Sequence, residues 1–223
     1  MEPLFDTREY QVLAETTFGG VRERHDIGPG EEWRVFEVLG NGSVEELLAD
    51  MDENGVETVF MDQTVQWSRA EQEPMVVATV DELAELRDEA DGRIVPGVGY
   101  NPHDIEGSLD RVERAVEDHD FAYVWFHPNT FGLRASSEKC YPLYTKCLDL
   151  DVPVCLQTGQ SAEPLPSEPG HPMYADEVAM DFPGLTLVLT HTGWPWPMEW
   201  CSMLWRHPNV YGNIGAYFPS FLP

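Results

Sequence analysis

Two histidines and one glutamine stand where predicted strands end, and side chains of these types move protons or hold small molecules. The apolar run Leu185–Leu189 predicts a buried strand, and His191 follows its end. Similar runs precede Gln157 and His127, so the three side chains recur at equivalent places. An imidazole at such a position acts as a base, a metal ligand or a substrate clamp. The alternative is a histidine satisfied by neighbouring backbone.

The elements that must position these side chains form a regular alternation. About six predicted strands alternate with predicted helices between Ser43 and Pro223. Their runs are continuously apolar, which indicates a parallel sheet covered on both faces. Polar residues at several neighbouring strand ends favour an α/β fold of the (β/α)8 TIM-barrel type. An open doubly wound sheet is the alternative, but no G-x-G-x-x-G segment follows the first strand.

The two ends of the chain set the predicted domain organisation. Residues 1–42 show no clear period and are expected to be an irregular N-terminal arm, followed by a barrel domain over residues 43–223. A closed barrel needs another helix and strand after Pro223, so we expect an incomplete barrel. Either the arm and a partner subunit complete it, or the chain is a shortened form of a longer enzyme. Unpaired strand edges are normally covered, which predicts a homo-oligomer.

The composition is strongly acidic, with 13 basic and 40 acidic residues and a net charge of −27. Such a surface repels nucleic acid and anionic membranes, which leaves a small-molecule substrate as the expected partner. Dispersed carboxylates with scarce lysine favour a halophilic acidic protein in a salt-rich cytoplasm. No signal peptide or apolar run of membrane-spanning length is recognisable, so we expect a cytoplasmic location. The four cysteines form no C-x-x-C pair and are predicted to be apolar fillers.

Several segments in the second half of the chain resemble a known family. They are Tyr141–Cys147 before Val152–Gly159, Pro172–Val178 before Asp181–Leu185, and then Leu189–Trp196 and His207–Tyr211. In this order and spacing they resemble the amidohydrolase-related (amidohydrolase 2) family of TIM-barrel metal-dependent hydrolases, which also includes decarboxylases. The resemblance implies that the visible strands are about the second to the seventh of the barrel.

The same resemblance implies a divalent metal such as zinc or manganese, but this chain departs from the ligand pattern. The family uses His-x-His on the first strand, a histidine on the fifth and an aspartate on the eighth. No His-x-His occurs here, and Gln157 stands at the fifth-strand position. An amide is a poor zinc ligand beside imidazole or carboxylate, so no metal ligand is assigned. His191 matches the sixth-strand histidine, which serves as general base or polarises the substrate.

These observations predict a hydrolase or decarboxylase acting on a small cyclic or carboxylated metabolite. His191 is the predicted catalytic general acid or base. Gln157, His127 and Trp194 are predicted to bind the substrate, although aromatics such as Trp194 more often serve in packing. The alternative is a catalytically impaired remnant or a non-catalytic binding subunit of the same fold, because the terminal ligand-bearing strands are not recognisable. A doubly wound binding module is the third hypothesis.

Overall fold

The computed structural model describes residues 7–215. They form two compact units, residues 7–96 with 162–164 and residues 97–161 with 165–215. Helices and strands alternate along most of the chain, as predicted for an α/β fold. Among the residues described, no helix is both long and apolar enough to cross a membrane.

Helices predominate in the described part of the first unit, which contains five helices and three short strands. Its elements are α1 (Arg8–Glu15), α2 (Gly19–Arg24), α3 (Arg34–Leu39), α4 (Val44–Asn54), β1 (Val59–Asp62), β2 (Thr64–Trp67), β3 (Pro74–Val77) and α5 (Val80–Glu89). The helices α4 and α5 begin where the sequence predicts, because Ser43 and Thr79 accept backbone hydrogen bonds from the third residue of each helix. The strands β2 and β3 form an antiparallel hairpin that the sequence analysis did not predict.

Part of the arm that was expected to be irregular is helical. Residues 7–42 contain α1, α2 and α3, which share a small apolar core built around Ala14 and Val35. The buried Glu9 carboxylate fixes α1 by accepting hydrogen bonds from the Ser68 hydroxyl at 3.0 Å and the Arg69 N–H at 2.7 Å. The sequence showed no period here because helices of six to eight residues are too short to display one. The division of domains after residue 42 stays a prediction.

The second unit is built on a parallel sheet. Its elements are the end of β4 (Ile94–Gly99), α6 (Ile105–His119), β5 (Tyr123–Phe126), α7 (Tyr141–Asp149), β6 (Val154–Leu156), α8 (Tyr174–Asp181), β7 (Leu187–Leu189), α9 (Pro197–Arg206) and β8 (Val210–Gly212). The strands lie in the order β4-β5-β6-β7-β8, and all neighbours are parallel. The apolar pattern of the sequence predicts the last strand over residues 209–216, of which Ala216 lies outside the described residues.

The two faces of this sheet differ in burial. One face is fully buried and consists of Val124, Phe126, Val154, Leu156, Leu187 and Leu189. On the other face Trp125, Cys155 and Val188 are half-buried, and Tyr211 is 57% exposed. Successive strand residues point to opposite faces, so the residues two positions beyond these also belong to the second face. We call this second face the half-exposed face.

Candidate active site

Side chains that follow four strands form one row along the carboxyl edge of the sheet. Phe126, Leu156 and Leu189 lie in register on three neighbouring strands. The hydrogen bonding continues one residue further, because the Gln157 N–H donates to the Phe126 carbonyl at 2.9 Å and the Thr190 N–H to the Leu156 carbonyl at 3.1 Å. The resulting row, which we call the carboxyl-edge row, lies on the half-exposed face and consists of His127, Gln157, Thr190 and Asn213.

His191 lies one residue beyond this row, in the turn formed by residues 191–193. The φ angle is 59° at His191 and 52° at Thr192, which is the left-handed region that residues with a Cβ adopt at a cost. Neighbouring backbone holds the turn in place. The Thr192 N–H donates to the Asn213 carbonyl at 3.3 Å, and the Trp194 N–H donates to the His191 carbonyl at 3.2 Å. The position predicted as a strand end is therefore a strained turn.

The Thr190 hydroxyl determines which nitrogen of a neutral His191 carries the proton. Thr190 Oγ1 lies 2.7 Å from His191 Nδ1 and 3.0 Å from the Leu156 carbonyl oxygen. A carbonyl only accepts, so both contacts are hydrogen bonds when the hydroxyl donates to the Leu156 carbonyl and the Nδ1–H of His191 donates to Thr190. The neutral imidazole then keeps its lone pair on Nε2. In this tautomer His191 accepts a proton or a ligand hydrogen bond at Nε2.

Trp125 is the shared aromatic neighbour of the two histidines. Its ring centroid lies 6.4 Å from that of His127 and 6.2 Å from that of His191, and both contacts are edge-to-face. His127 is only 4% exposed, and its Nε2 lies 3.3 Å from the Ser161 hydroxyl. Both histidines predicted for the site therefore contact the same indole ring, that of Trp125.

Gln157 and Trp194 are placed differently. Gln157 is 5% exposed, and its side-chain Nε2 makes only a long contact of 3.4 Å with the Thr158 carbonyl. The amide therefore keeps capacity for a stronger hydrogen bond. The Trp194 side chain is 42% exposed, whereas its backbone carbonyl accepts a hydrogen bond from the Gln160 N–H at 2.6 Å. Trp194 is thus tied to the loop after β6 through its backbone.

Sequence reasoning missed three residues that contact the predicted ones. Trp125 was detectable, because a residue two positions before His127 on a strand shares its face. Thr190 was detectable only as the residue that precedes His191, since its hydrogen bond depends on the conformation of the turn. Ser161 gives no sequence signal, because its contact with His127 joins residues 34 positions apart.

The residues present do not fit the metal centre that the family resemblance implies. Within residues 7–215, no group of three or more His, Cys, Asp or Glu side chains is arranged to hold a metal ion. At the carboxyl edge the donors are two imidazoles, an amide and hydroxyl groups, whereas a catalytic zinc site needs about three protein ligands. The carboxyl-edge residues instead offer groups for acid–base chemistry and hydrogen bonding.

The buried cysteines do not add a nucleophile to the site. Cys140 and Cys147 are fully buried. Burial raises the pKa of the Cys140 thiol to about 12 and also raises the pKa of Cys147. A thiol with a raised pKa stays protonated near neutral pH, and the protonated form is not the nucleophile. These two side chains occupy the apolar interior as predicted for all four cysteines, whereas Cys155 is half-buried and the prediction is wrong for Cys201, which is exposed.

Taken together, parallel strands alternating with helices and a polar row at their carboxyl edge define an α/β protein, and a similar solved structure reported below is a TIM-barrel protein. The sequence profile of the amidohydrolase family (amidohydrolase 2) matches residues 28–222. The chain therefore belongs to that family. No curated protein matches the sequence.

Solved structures similar to this chain share its fold. An uncharacterized TIM-barrel protein, Bb4693 from Bordetella bronchiseptica, is 23% identical with a TM-score of 0.67, and the match covers 77% of this chain and 59% of that one. The 2,6-dihydroxybenzoate decarboxylase from Rhizobium is 18% identical with a TM-score of 0.60, covering 85% and 75%. The 5-carboxyvanillate decarboxylase LigW2 from Novosphingobium aromaticivorans, solved with bound manganese, is 16% identical with a TM-score of 0.55, covering 93% and 72%. The chain thus spans 59% of the length of the Bordetella protein.

Proposed function

We propose that this protein is a hydrolase or decarboxylase of the amidohydrolase family that acts on a small cyclic or carboxylated metabolite. His191 is the general acid or base, and Gln157 and His127 orient the substrate. Two similar structures are named as decarboxylases of 2,6-dihydroxybenzoate and 5-carboxyvanillate, which are small ring carboxylates. Their names support this substrate class for the present chain.

The observation that carries the proposal is the contact between Thr190 and His191. By holding the proton of the neutral ring on Nδ1, the Thr190 hydroxyl directs the lone pair of Nε2 to accept a proton from substrate or water. In the protonated ring the same nitrogen returns the proton. A positioned general base of this kind contributes roughly 10²- to 10⁴-fold to a rate.

The composition of the carboxyl-edge row is compatible with a carboxylated substrate. The net charge of the chain is −27, and yet the row consists of His127, Gln157, Thr190 and Asn213, none of which is acidic. The side-chain amides of Gln157 and Asn213 can donate hydrogen bonds to an anionic group, and no carboxylate lies within the row. Trp194, with its exposed ring, stays a candidate for contact with the apolar part of a substrate.

A second candidate function follows from the ligand set. The described residues do not gather three metal ligands, which favours a catalytically impaired remnant or a non-catalytic binding subunit. Such a protein keeps the carboxyl-edge row as a binding surface but performs no reaction there.

The two candidates are separated by assaying a panel of small ring carboxylates, esters and lactones for CO₂ release and hydrolysis. The proposal expects turnover that falls at least about 100-fold in His191→Ala, within the usual contribution of a general base. The control His25→Ala changes an exposed histidine of the first unit and should keep full activity. Turnover that is unaffected by His191→Ala overturns the role of His191. Saturable binding in calorimetry without turnover of any compound favours the binding subunit.

Two further measurements test the expected cofactor and assembly. Elemental analysis of zinc and manganese in the wild type and in His191→Ala measures whether His191 takes part in metal binding.

We also propose a homo-oligomer, because unpaired strand edges are normally covered by another chain. Sedimentation that shows a stable monomer would count against the oligomer.

A further inference from the structure

Three loops, which follow β5, β6 and β7, are joined by close contacts next to the carboxyl-edge row. Asn129 lies two residues after His127, is 1% exposed, and donates from its side-chain Nδ2 to the Gly159 carbonyl at 3.1 Å. The Gly159 N–H donates to the Gly170 carbonyl at 2.7 Å. The Gln160 N–H donates to the Trp194 carbonyl at 2.6 Å. We call this set of contacts the loop clamp.

The loop clamp leaves no room for additional atoms. Gly159 has a φ of +85°, and a Cβ there would lie 2.5 Å from the Trp194 carbonyl oxygen. A Cβ on Gly170 would collide with the Gly159 carbonyl oxygen and with Nδ2 of Asn129. Both positions therefore require glycine, because only glycine allows backbone segments to approach so closely. The Asn129 amide is packed directly against the backbone of two other segments.

Each loop in the clamp also carries a residue of the proposed site. The Thr130 hydroxyl, next to Asn129, donates to the His127 carbonyl at 3.1 Å. Gly159 follows Gln157 by two residues. The Trp194 N–H donates to the His191 carbonyl at 3.2 Å, so the residue that accepts from Gln160 also closes the His191 turn. The clamp therefore contacts the backbone on which all three predicted side chains are mounted.

We infer that Asn129 is a positioning residue that holds His191 in its strained turn through the loop clamp. A left-handed φ at two successive residues with a Cβ persists only where surrounding structure enforces it. Asn129 supplies the only side chain in the clamp contacts above, and the other partners are backbone groups. This inference rests on the proposed function for the catalytic role of His191. The geometry of the turn does not depend on that function.

The environment of Oδ1, the other polar atom of the Asn129 side chain, agrees with this role. Asn129 Oδ1 is buried and has no hydrogen-bond partner among the described residues. A buried carbonyl oxygen without a partner destabilises the fold. An apolar side chain of similar size would avoid that cost but would lose the donor to Gly159. The hydrogen bond from Nδ2 to the Gly159 carbonyl thus offsets the cost of burying Oδ1 without a partner.

The test replaces Asn129 and a matched asparagine by serine. Asn209 is the control, because its Nδ2 donates to three backbone carbonyls, those of Ala179, Phe182 and Leu185, and its own carbonyl accepts from the Leu187 N–H at the start of β7. The readout is the ¹⁵N NMR spectrum of the His191 ring, which reports the tautomer. In the wild type and in Asn209→Ser we expect the Nδ1-protonated form. In Asn129→Ser we expect the ring shifts to move toward a mixture of tautomers.

An Asn129→Ser protein that is folded and keeps the wild-type His191 ring spectrum overturns the inference. If this variant does not fold, amide hydrogen exchange of the wild type decides instead. The Gly159 and Gln160 amides should then exchange as slowly as the amides of β6, and exchange at the rate of an exposed loop contradicts the clamp. A changed ring spectrum in Asn129→Ser together with unaffected turnover in His191→Ala would keep the positioning role and reject the proposed function.

Discussion

Thr190 Oγ1 lies 2.7 Å from Nδ1 of His191, the residue that follows it in the chain. The same hydroxyl donates to the Leu156 carbonyl on the neighbouring strand, so it connects the imidazole to the backbone of the sheet. Orientation by a hydroxyl that is itself hydrogen-bonded leaves the ring little freedom to exchange tautomers. The basic nitrogen of His191 is therefore set by a neighbour that contacts no substrate in the proposed mechanism.

Replacing Thr190 by valine tests this relationship. The change keeps the shape of the side chain but removes the hydroxyl, so the folded protein should lose about 1 kcal/mol of unfolding free energy. Turnover that depends on His191 should fall roughly 10-fold or more, because part of the general-base contribution is lost with the wrong tautomer. Urea unfolding and the ¹⁵N spectrum of the His191 ring measure the two effects.

Thr145→Val is the matched control for Thr190→Val. The Thr145 hydroxyl donates to the Tyr141 carbonyl within α7 and lies on the surface. Its removal should leave both turnover and the His191 ring spectrum unchanged. If Thr190→Val also leaves the ring spectrum unchanged, another group fixes the tautomer of His191.

The φ angle of 59° at His191 predicts that glycine is a more stabilising replacement than alanine at this position. Alanine pays the steric cost of the left-handed conformation and glycine does not, so His191→Gly should be more stable to unfolding than His191→Ala by about 1 kcal/mol. At an exposed helical position the order is the opposite. Glu85 in α5 provides that comparison, with Glu85→Ala expected to be more stable than Glu85→Gly. Equal stability of the two His191 variants would mean that the turn relaxes when the imidazole is removed.

The sequence predicted the strands and the polar residues at their ends, because these depend on local patterns. A continuous apolar run followed by a polar residue identifies β5, β6 and β7 and places His127 and Gln157 at the carboxyl edge. The strands of the second unit are parallel because a helix connects each strand to the next and returns the chain to the same edge of the sheet. These features needed no knowledge of distant contacts.

The geometry around His191 was not predictable in the same way. Its left-handed φ depends on the hydrogen bond from Thr192 to Asn213 and on the loop clamp, in which Asn129 and Gly159 are 30 positions apart. The helices α1 to α3 were missed because they are short. The hairpin of β2 and β3 was missed because each strand has only four residues and a proline, Pro74, begins β3, which disfavours a strand prediction.

The capping box of α5 predicts a specific dependence of stability on pH. The backbone N–H and the hydroxyl of Thr79 donate to the Glu82 carboxylate and hold the pKa of Glu82 below its ordinary value of 4.5. A lowered carboxylate pKa contributes stability that is present above the ordinary value and is lost as the pH falls through the folded-state pKa. The stability that Glu82 contributes, measured as the difference between the wild type and Glu82→Gln, should therefore be lost as the pH falls below about 4.5.

Urea unfolding of the wild type, Glu82→Gln and Glu85→Gln between about pH 7 and about pH 3 measures this dependence. Glu85 is an exposed carboxylate on the same helix and does not cap it, so its variant should follow the wild type. Identical pH profiles for all three proteins would show that the capping carboxylate makes no difference to acid unfolding.

The net charge of −27 predicts that salt stabilises the fold. Raising the ionic strength from 0.1 M to 1 M shortens the screening length from about 10 Å to about 3 Å, which weakens repulsion among dispersed carboxylates. Attraction within surface ion pairs is weakened too, but exposed pairs contribute little to stability. The midpoint of thermal unfolding should therefore rise as KCl is added. The variant Glu53→Gln removes one exposed carboxylate from the last turn of α4, a helix without a basic residue. It should be more stable than the wild type in low salt and lose that advantage in high salt. A midpoint that falls with salt would show that attraction between opposite charges outweighs the repulsion.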